Sequence, residues 1–126
     1  MDPTISSRSE GGVIIVEATG ELDTHAAPRL LGTLRDLSTQ GRQRVVVDLT
    51  GVTFVDSAAL GVLIGARKRA RLGDGELHLV VTHPHVLRLL HMTGLHKVFD
   101  VHGTVDAALA AVQATAADAP AHRSGV

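Results

Sequence analysis

Arg44 to Leu49 reads Arg-Val-Val-Val-Asp-Leu, a short strand whose apolar centre is continuous and leaves no polar face. Such a strand is usually covered or centrally placed in its sheet, and helices packed on one face would leave the other lightly covered. Helical patterns flank it. Upstream, Leu30, Leu34 and Leu37, with Leu31 beside them, make an apolar stripe running to Gln40. Asp23 or Thr24 can cap that helix, and Pro28, which lacks a donor, must lie near its first turn. Downstream, Ser57 to Leu72 reads as a second helix. Parallel strands joined by right-handed crossovers are the simplest arrangement of such a pattern.

The remaining segments extend it. Thr4 to Arg8 alternates weakly, Glu10-Gly11-Gly12 is a turn signal, and Val13 to Thr19 is a β-branched run, so a hairpin opens the chain. Thr50 to Val55 reads as a connector. Gly73-Asp74-Gly75 precedes a strand over Glu76 to Val81. A short helix over Pro84 to Met92 buries Val86, Leu89 and Leu90, and Val98 to Val101 is a last strand. Thr104 to Ala114 is a helix with Val105, Leu109 and Val112 at helical spacing. Thr115 to Val126 is Ala-rich and aperiodic, and is expected to be a disordered tail. The order β-β-α-β-α-β-α-β-α predicts one α/β domain over residues 1–114. Its sheet is mixed and mostly parallel, of four to five strands, with about four helices packed against it.

Composition removes several functions. The 126 residues include two Phe and no Trp or Tyr, which disfavours base-stacking modules and aromatic cages. Lys plus Arg total 12 against 13 for Asp plus Glu, so no net field draws in nucleic acid or a membrane. Without Cys there are no disulfides, thiolate metal sites or cysteine nucleophiles. Met1 to Glu10 is polar and lacks an apolar signal segment, and no apolar run approaches a membrane span. A cytoplasmic protein is the expectation.

The segment Val52 to Leu63 carries the most specific chemistry. A hydroxyl at Ser57, where a helix starts, meets unpaired backbone N–H groups and the positive end of the helix dipole. Those donors stabilise an anionic phosphate, and phosphorylation adds about −1.5 to −2 charges. Asp56 can cap the helix or hold the loop. At about 100° per residue, Ser57, Gly61, Ile64 and Lys68 share one face, while Ala59, Leu60, Leu63, Ala66 and Ala70 share another suited to the core. Gly61 and Gly65 allow close approach of a partner backbone. On local sequence alone, Ser57 as an ordinary N-cap is the better account of its position, since Ser is among the favoured capping residues.

Phe54-Val55-Asp56-Ser57-Ala58-Ala59-Leu60-Gly61-Val62-Leu63 resembles the phosphorylation-site motif of bacterial anti-sigma-factor antagonists, Asp-Ser-(Ser/Thr/Ala)-Gly-Leu-Gly. These are members of the STAS family (sulfate transporter and anti-sigma factor antagonist). Three more blocks are similar in order and spacing: Gly20-Glu21-Leu22-Asp23, Val45 to Leu49 with Asp48, and His83 to Leu95 ending in Thr-Gly-Leu. The resemblance spans about residues 5 to 113. Two positions depart from it, since Ala59 stands where the family has Gly and Ala58 where it often has a hydroxyl. A methyl at Ala59 favours helix and removes close approach near the acceptor.

The resemblance implies a STAS fold and a partner-switching mechanism. The unphosphorylated antagonist binds an anti-sigma factor, which then releases its sigma factor to transcription. That anti-sigma factor is often also a Ser/Thr kinase, which phosphorylates the serine after the motif Asp. The phosphate breaks the complex, and a metal-dependent Ser/Thr phosphatase restores it. On this chain the acceptor is Ser57. Asp23 and Asp56 shape the loop and repel the phosphate, and Gly61, Ile64 and Lys68 complete the inferred contact face. No cofactor is implied, and any phosphoryl transfer is the partner's chemistry, so the chain is not expected to be an enzyme. A ligand-sensing or scaffold STAS domain, with Ser57 only a cap, is a second reading, and a subunit of a lipid-transport complex a third.

Other signals point nowhere. Of the eight His, His83, His85, His91, His96 and His102 crowd the late region, but they include no i, i+4 pair for a helical zinc site, so no metal is expected. A hydrolytic triad at Ser57 lacks a Gly-x-Ser-x-Gly elbow. The basic run Arg67 to Arg71 complements a helix C-terminus.

Overall fold

The computed structural model describes residues 2–124, and side chains as far as Thr115. The elements follow the order read from the sequence: β1 (Thr4–Glu10), β2 (Val13–Leu22), α1 (Ala27–Thr39), β3 (Arg44–Val55), α2 (Ser57–Leu72), β4 (Glu76–Val80) and α3 (Pro84–Met92). A 3-10 turn (Leu95–Lys97), β5 (Asp100–His102) and α4 (Val105–Ser124) complete the chain. The five strands form one sheet in the order β1-β2-β3-β4-β5. β1 and β2 pair antiparallel through a turn at Gly11 and Gly12, whose φ angles of 59° and 81° suit residues without a Cβ. The other three pairings are parallel.

The unbroken apolar centre of β3 follows from cover on both faces. Val45, Val47, Ile14, Val16 and Leu79 point into one core with Leu30 and Leu34 of α1, Leu63 of α2 and Val86 of α3. Val46 points the other way, with Val13, Ile15 and Val80, against Ala108, Leu109 and Val112 of α4. Strand alternation thus feeds two clusters, and neither face of the sheet's centre is left wet.

Several boundaries differ from the sequence reading, among them the end of β2, which runs to Leu22 and not Thr19. Thr50 to Val55 is strand, not connector. After a bulge, Gly51 and Val52 pair with Thr19 and Gly20, and Phe54 and Val55 pair with Glu21 and Leu22. The bulge is built by Asp48, whose Oδ1 accepts from Thr50 N at 3.0 Å, and by Gly51. A Cβ on Gly51 would lie 2.8 Å from Thr19 Cγ2, so only glycine permits that approach.

α1 starts at Ala27, and the position before it, Ala26, makes no side-chain cap bond. Pro28 in the first turn holds the start there, and Asp23 acts one turn earlier. β5 begins at Asp100 because Val98 and Phe99 both donate to Leu95 O in a turn that buries Phe99. The backbone of α4 continues to Ser124, past the expected end at Ala114, as an alanine-rich stretch favours. Of the tail expected over 115–126, the side chains from 116 and residues 125–126 lie outside the described residues.

Candidate functional site

The carboxyl ends of β2 and β3 lie side by side, with Leu22 paired to Val55 and Asp56 N donating to Leu22 O at 3.1 Å. Two loops therefore leave the sheet together, one toward α1 and one toward α2. Ligand and partner sites in parallel sheets gather at this end of the strands.

Asp56 is the N-cap of α2. Its backbone is extended, and its Oδ1 accepts from Ala59 N at 3.0 Å. Its Oδ2 accepts from Thr24 Oγ1 at 3.0 Å, which ties the α1 loop to the start of α2. The Ala59 N–H, followed by the Thr24 hydroxyl and the Ala58 and Thr24 amides, holds the carboxyl below its ordinary value of 3.8 against a partial desolvation that raises it. Asp56 is therefore ionised at neutral pH.

With the cap supplied by Asp56, Ser57 is the first residue of α2 and not its cap. Ser57 is exposed, and among the described residues its hydroxyl has no hydrogen-bond partner. The reading of Ser57 as an ordinary N-cap is thereby excluded. Gly61, Ile64 and Lys68 continue the exposed face, with Ile64 38% exposed. Ala59, Leu60, Leu63, Ala66 and Ala70 are buried on the opposite side. From Ser57 to Lys68 the face runs about 16 Å along the helix. A Cβ on Gly61 would meet nothing within 4 Å, so its backbone is open to a partner.

Ala59 is fully buried, so its methyl faces the core. The close approach that a glycine there was expected to provide is not lost from the exposed face. Asp23 is half-buried, and its Oδ1 accepts from His25 N and Ala26 N, both at 3.0 Å. This Asx turn shapes the loop whose Thr24 reaches Asp56. The structure thus brings Asp23, Asp56 and Ser57 together at one end of α2, with Gly61, Ile64 and Lys68 trailing away from them.

The sequence reading passed over two features. Thr24 was weighed only as a cap for α1, and its contact to Asp56 spans 32 positions, with no local signal to reveal it. Phe54 is 47% exposed and, with Thr53, Val55, His85, Val86 and Leu89, lines an open cleft of about 430 Å³ between β3 and α3. One of two aromatic residues in the chain, standing two positions before Asp56, was a signal available in the sequence.

The sequence profile described as the STAS domain matches residues 4–108. The chain belongs to the STAS family. The anti-sigma F factor antagonist of Paenibacillus polymyxa is 35% identical to this STAS domain over 104 residues, covering 81% of this chain and 88% of its own. The anti-sigma-B factor antagonist of Staphylococcus aureus is 28% identical over 102 residues, with 81% and 94% covered. In structure, the STAS domain is similar to an anti-sigma factor antagonist from Mycobacterium paratuberculosis. The TM-score is 0.80 at 28% identity, with 89% of this chain and 95% of that one covered. No helix among the described residues of the STAS domain is long and apolar enough to cross a membrane.

Proposed function

We propose that this protein is an anti-sigma-factor antagonist switched by phosphorylation of Ser57. In this reading the unphosphorylated domain binds an anti-sigma factor through Ser57, Gly61, Ile64 and Lys68, and the sigma factor is released to transcription. An anti-sigma factor that is also a Ser/Thr kinase transfers the γ-phosphoryl of ATP to Ser57 Oγ. The bond to the β-phosphate breaks, ADP leaves, and the hydroxyl proton passes to the kinase's base. A metal-dependent Ser/Thr phosphatase hydrolyses the ester and resets the switch.

The observation that carries this reading is an exposed, unbonded hydroxyl on the residue after a helix cap that is already filled. Such a hydroxyl contributes nothing to the cap and is free to react. Its modification places about −1.5 to −2 charges beside the Asp56 carboxylate and near Asp23, on a face that is otherwise small and partly apolar. A partner surface matched to a neutral serine then meets like charge and a desolvated phosphate. The names of the similar proteins support the same assignment.

The test is incubation with the cognate kinase and ATP, followed by mass spectrometry of wild type and Ser57→Ala. A single phosphate on Ser57, absent from the variant, is expected, and Ser57→Asp is expected to weaken anti-sigma-factor binding at least tenfold. Label on another residue, or undiminished binding by Ser57→Asp, would refute the switch. A second reading, ligand sensing, has the cleft at Phe54 in its favour. Saturable amide shifts at Phe54 and Val86 on adding a short-chain fatty acid would support it.

A further inference from the structure

On the opposite face of the sheet from α2, four side chains that the Ser57 reading leaves unused come together across β4 and β5. His78 is 4% exposed, and it lies on the same side of β4 as Val80, which packs against α4. Its Nε2 is 2.9 Å from Glu76 Oε1 and 3.6 Å from Asp100 Oδ2. Its Nδ1 is 2.9 Å from His102 Nε2, with the two ring planes within 7° of each other. The register His78 to Asp100 and Val80 to His102 makes this a cross-strand constellation.

A carboxylate only accepts, so His78 Nε2–H donates to Glu76 Oε1, and the two rings share one further hydrogen bond between His78 Nδ1 and His102 Nε2. Glu76 Oε2 is buried and makes no hydrogen bond, although Arg44 Nη1 stands 3.7 Å away as an ion-pair partner. The cluster therefore holds more acceptor capacity than the protein fills.

We propose that Glu76, His78 and Asp100 form a divalent transition-metal site of the zinc class, with His102 orienting His78 behind it. The three donor atoms lie within 4.8 Å of one another. Zinc bonds of about 2.0–2.1 Å place tetrahedral donors about 3.4 Å apart, and the two distances from His78 Nε2 bracket that value. One imidazole and two carboxylates leave a fourth position for water, and this nitrogen–oxygen set favours zinc or its neighbours over calcium or magnesium. With a metal on Nε2, the proton of His78 would sit on Nδ1, facing His102 Nε2. His78 Nδ1–H then donates to His102 Nε2, whose own proton sits on Nδ1. That is the arrangement of an imidazole fixed by a second-layer acceptor. The ion would staple β5, a three-residue edge strand, to β4.

The full chain, stripped with chelator and dialysed, is titrated with zinc sulfate by calorimetry, with thermal unfolding alongside. One saturable site and a rise in Tm are expected for wild type. Asp100 is an exposed side chain, so Asp100→Asn keeps the fold by circular dichroism. It is expected to lose at least about tenfold in affinity together with the rise in Tm. His102→Gln is expected to weaken binding by about 10- to 100-fold. Absence of zinc binding by wild type, or undiminished binding by Asp100→Asn, would overturn the site, the latter placing zinc on other histidines. Neither outcome bears on Ser57.

Discussion

Thr24 Oγ1 donates to Asp56 Oδ2 at 3.0 Å, joining the loop after β2 to the first turn of α2. The same carboxylate caps α2 through Ala59 N. One side chain thus sets both the loop that borders the acceptor and the helix that presents it. Thr24→Val keeps the shape and removes the donor. Amides of His25 and Ala26 are expected to exchange several-fold faster, with Val46 unchanged. Equal rates throughout would mean that the Asp23 turn holds the loop alone.

Cap and acceptor are adjacent residues with separable duties. Asp56→Ala removes the cap and is expected to lower the urea midpoint clearly, whereas Ser57→Ala changes stability by no more than about 0.5 kcal/mol. A Ser57→Ala variant as unstable as Asp56→Ala would show that the hydroxyl is structural after all.

The pH response of the Asp56 cap has a definite sign. Chiefly through the Ala59 N–H, its pKa in the folded chain lies below the ordinary 3.8. The unfolded chain therefore binds its proton first, and stability is favoured at pH above 3.8. That contribution is lost as pH falls below 3.8 and through the lowered native value. Asp56→Asn remains a good cap but cannot ionise. The difference in urea midpoint between wild type and Asp56→Asn should shrink as pH is taken from about 5 to about 2.5. A constant difference would mean that the charge contributes nothing.

Neighbouring positions 63 and 64 of α2 face opposite ways. Leu63 is fully buried, so Leu63→Ala is expected to cost about 2–5 kcal/mol. Ile64 is 38% exposed, so Ile64→Ala should cost less than about 1 kcal/mol while weakening partner binding. Chemical denaturation and a binding titration on both variants check the division.

Gly61 offers the sharpest probe of the contact face. Gly61→Ala adds a methyl with nothing within 4 Å and should stabilise α2 by about 1 kcal/mol. If a partner's backbone rests there, affinity falls while stability rises. Unchanged affinity would move the interface elsewhere.

Much of this was written into local sequence. The limits of α2 and α3 follow from apolar periodicity and the residues at their ends, and the division of α2 into a buried and an open face follows from its helical period alone. The valine run of β3 marked a covered or central strand, but that α4 covers the second face was decided by packing. The motif around Ser57 is likewise local, a run of consecutive residues from Phe54 to Leu63. What local sequence could not express were relations between distant segments. The second half of β3 depends on a bulge opposite Thr19, the loop tether joins Thr24 to Asp56, and the Glu76–His78–Asp100–His102 cluster arises only when β4 pairs with β5. Helical i, i+4 spacing lies within one element, whereas these donors meet only through strand pairing. Periodicity is a property of one element at a time, whereas register, and with it the position of every cross-strand polar contact, is decided by how the whole sheet packs.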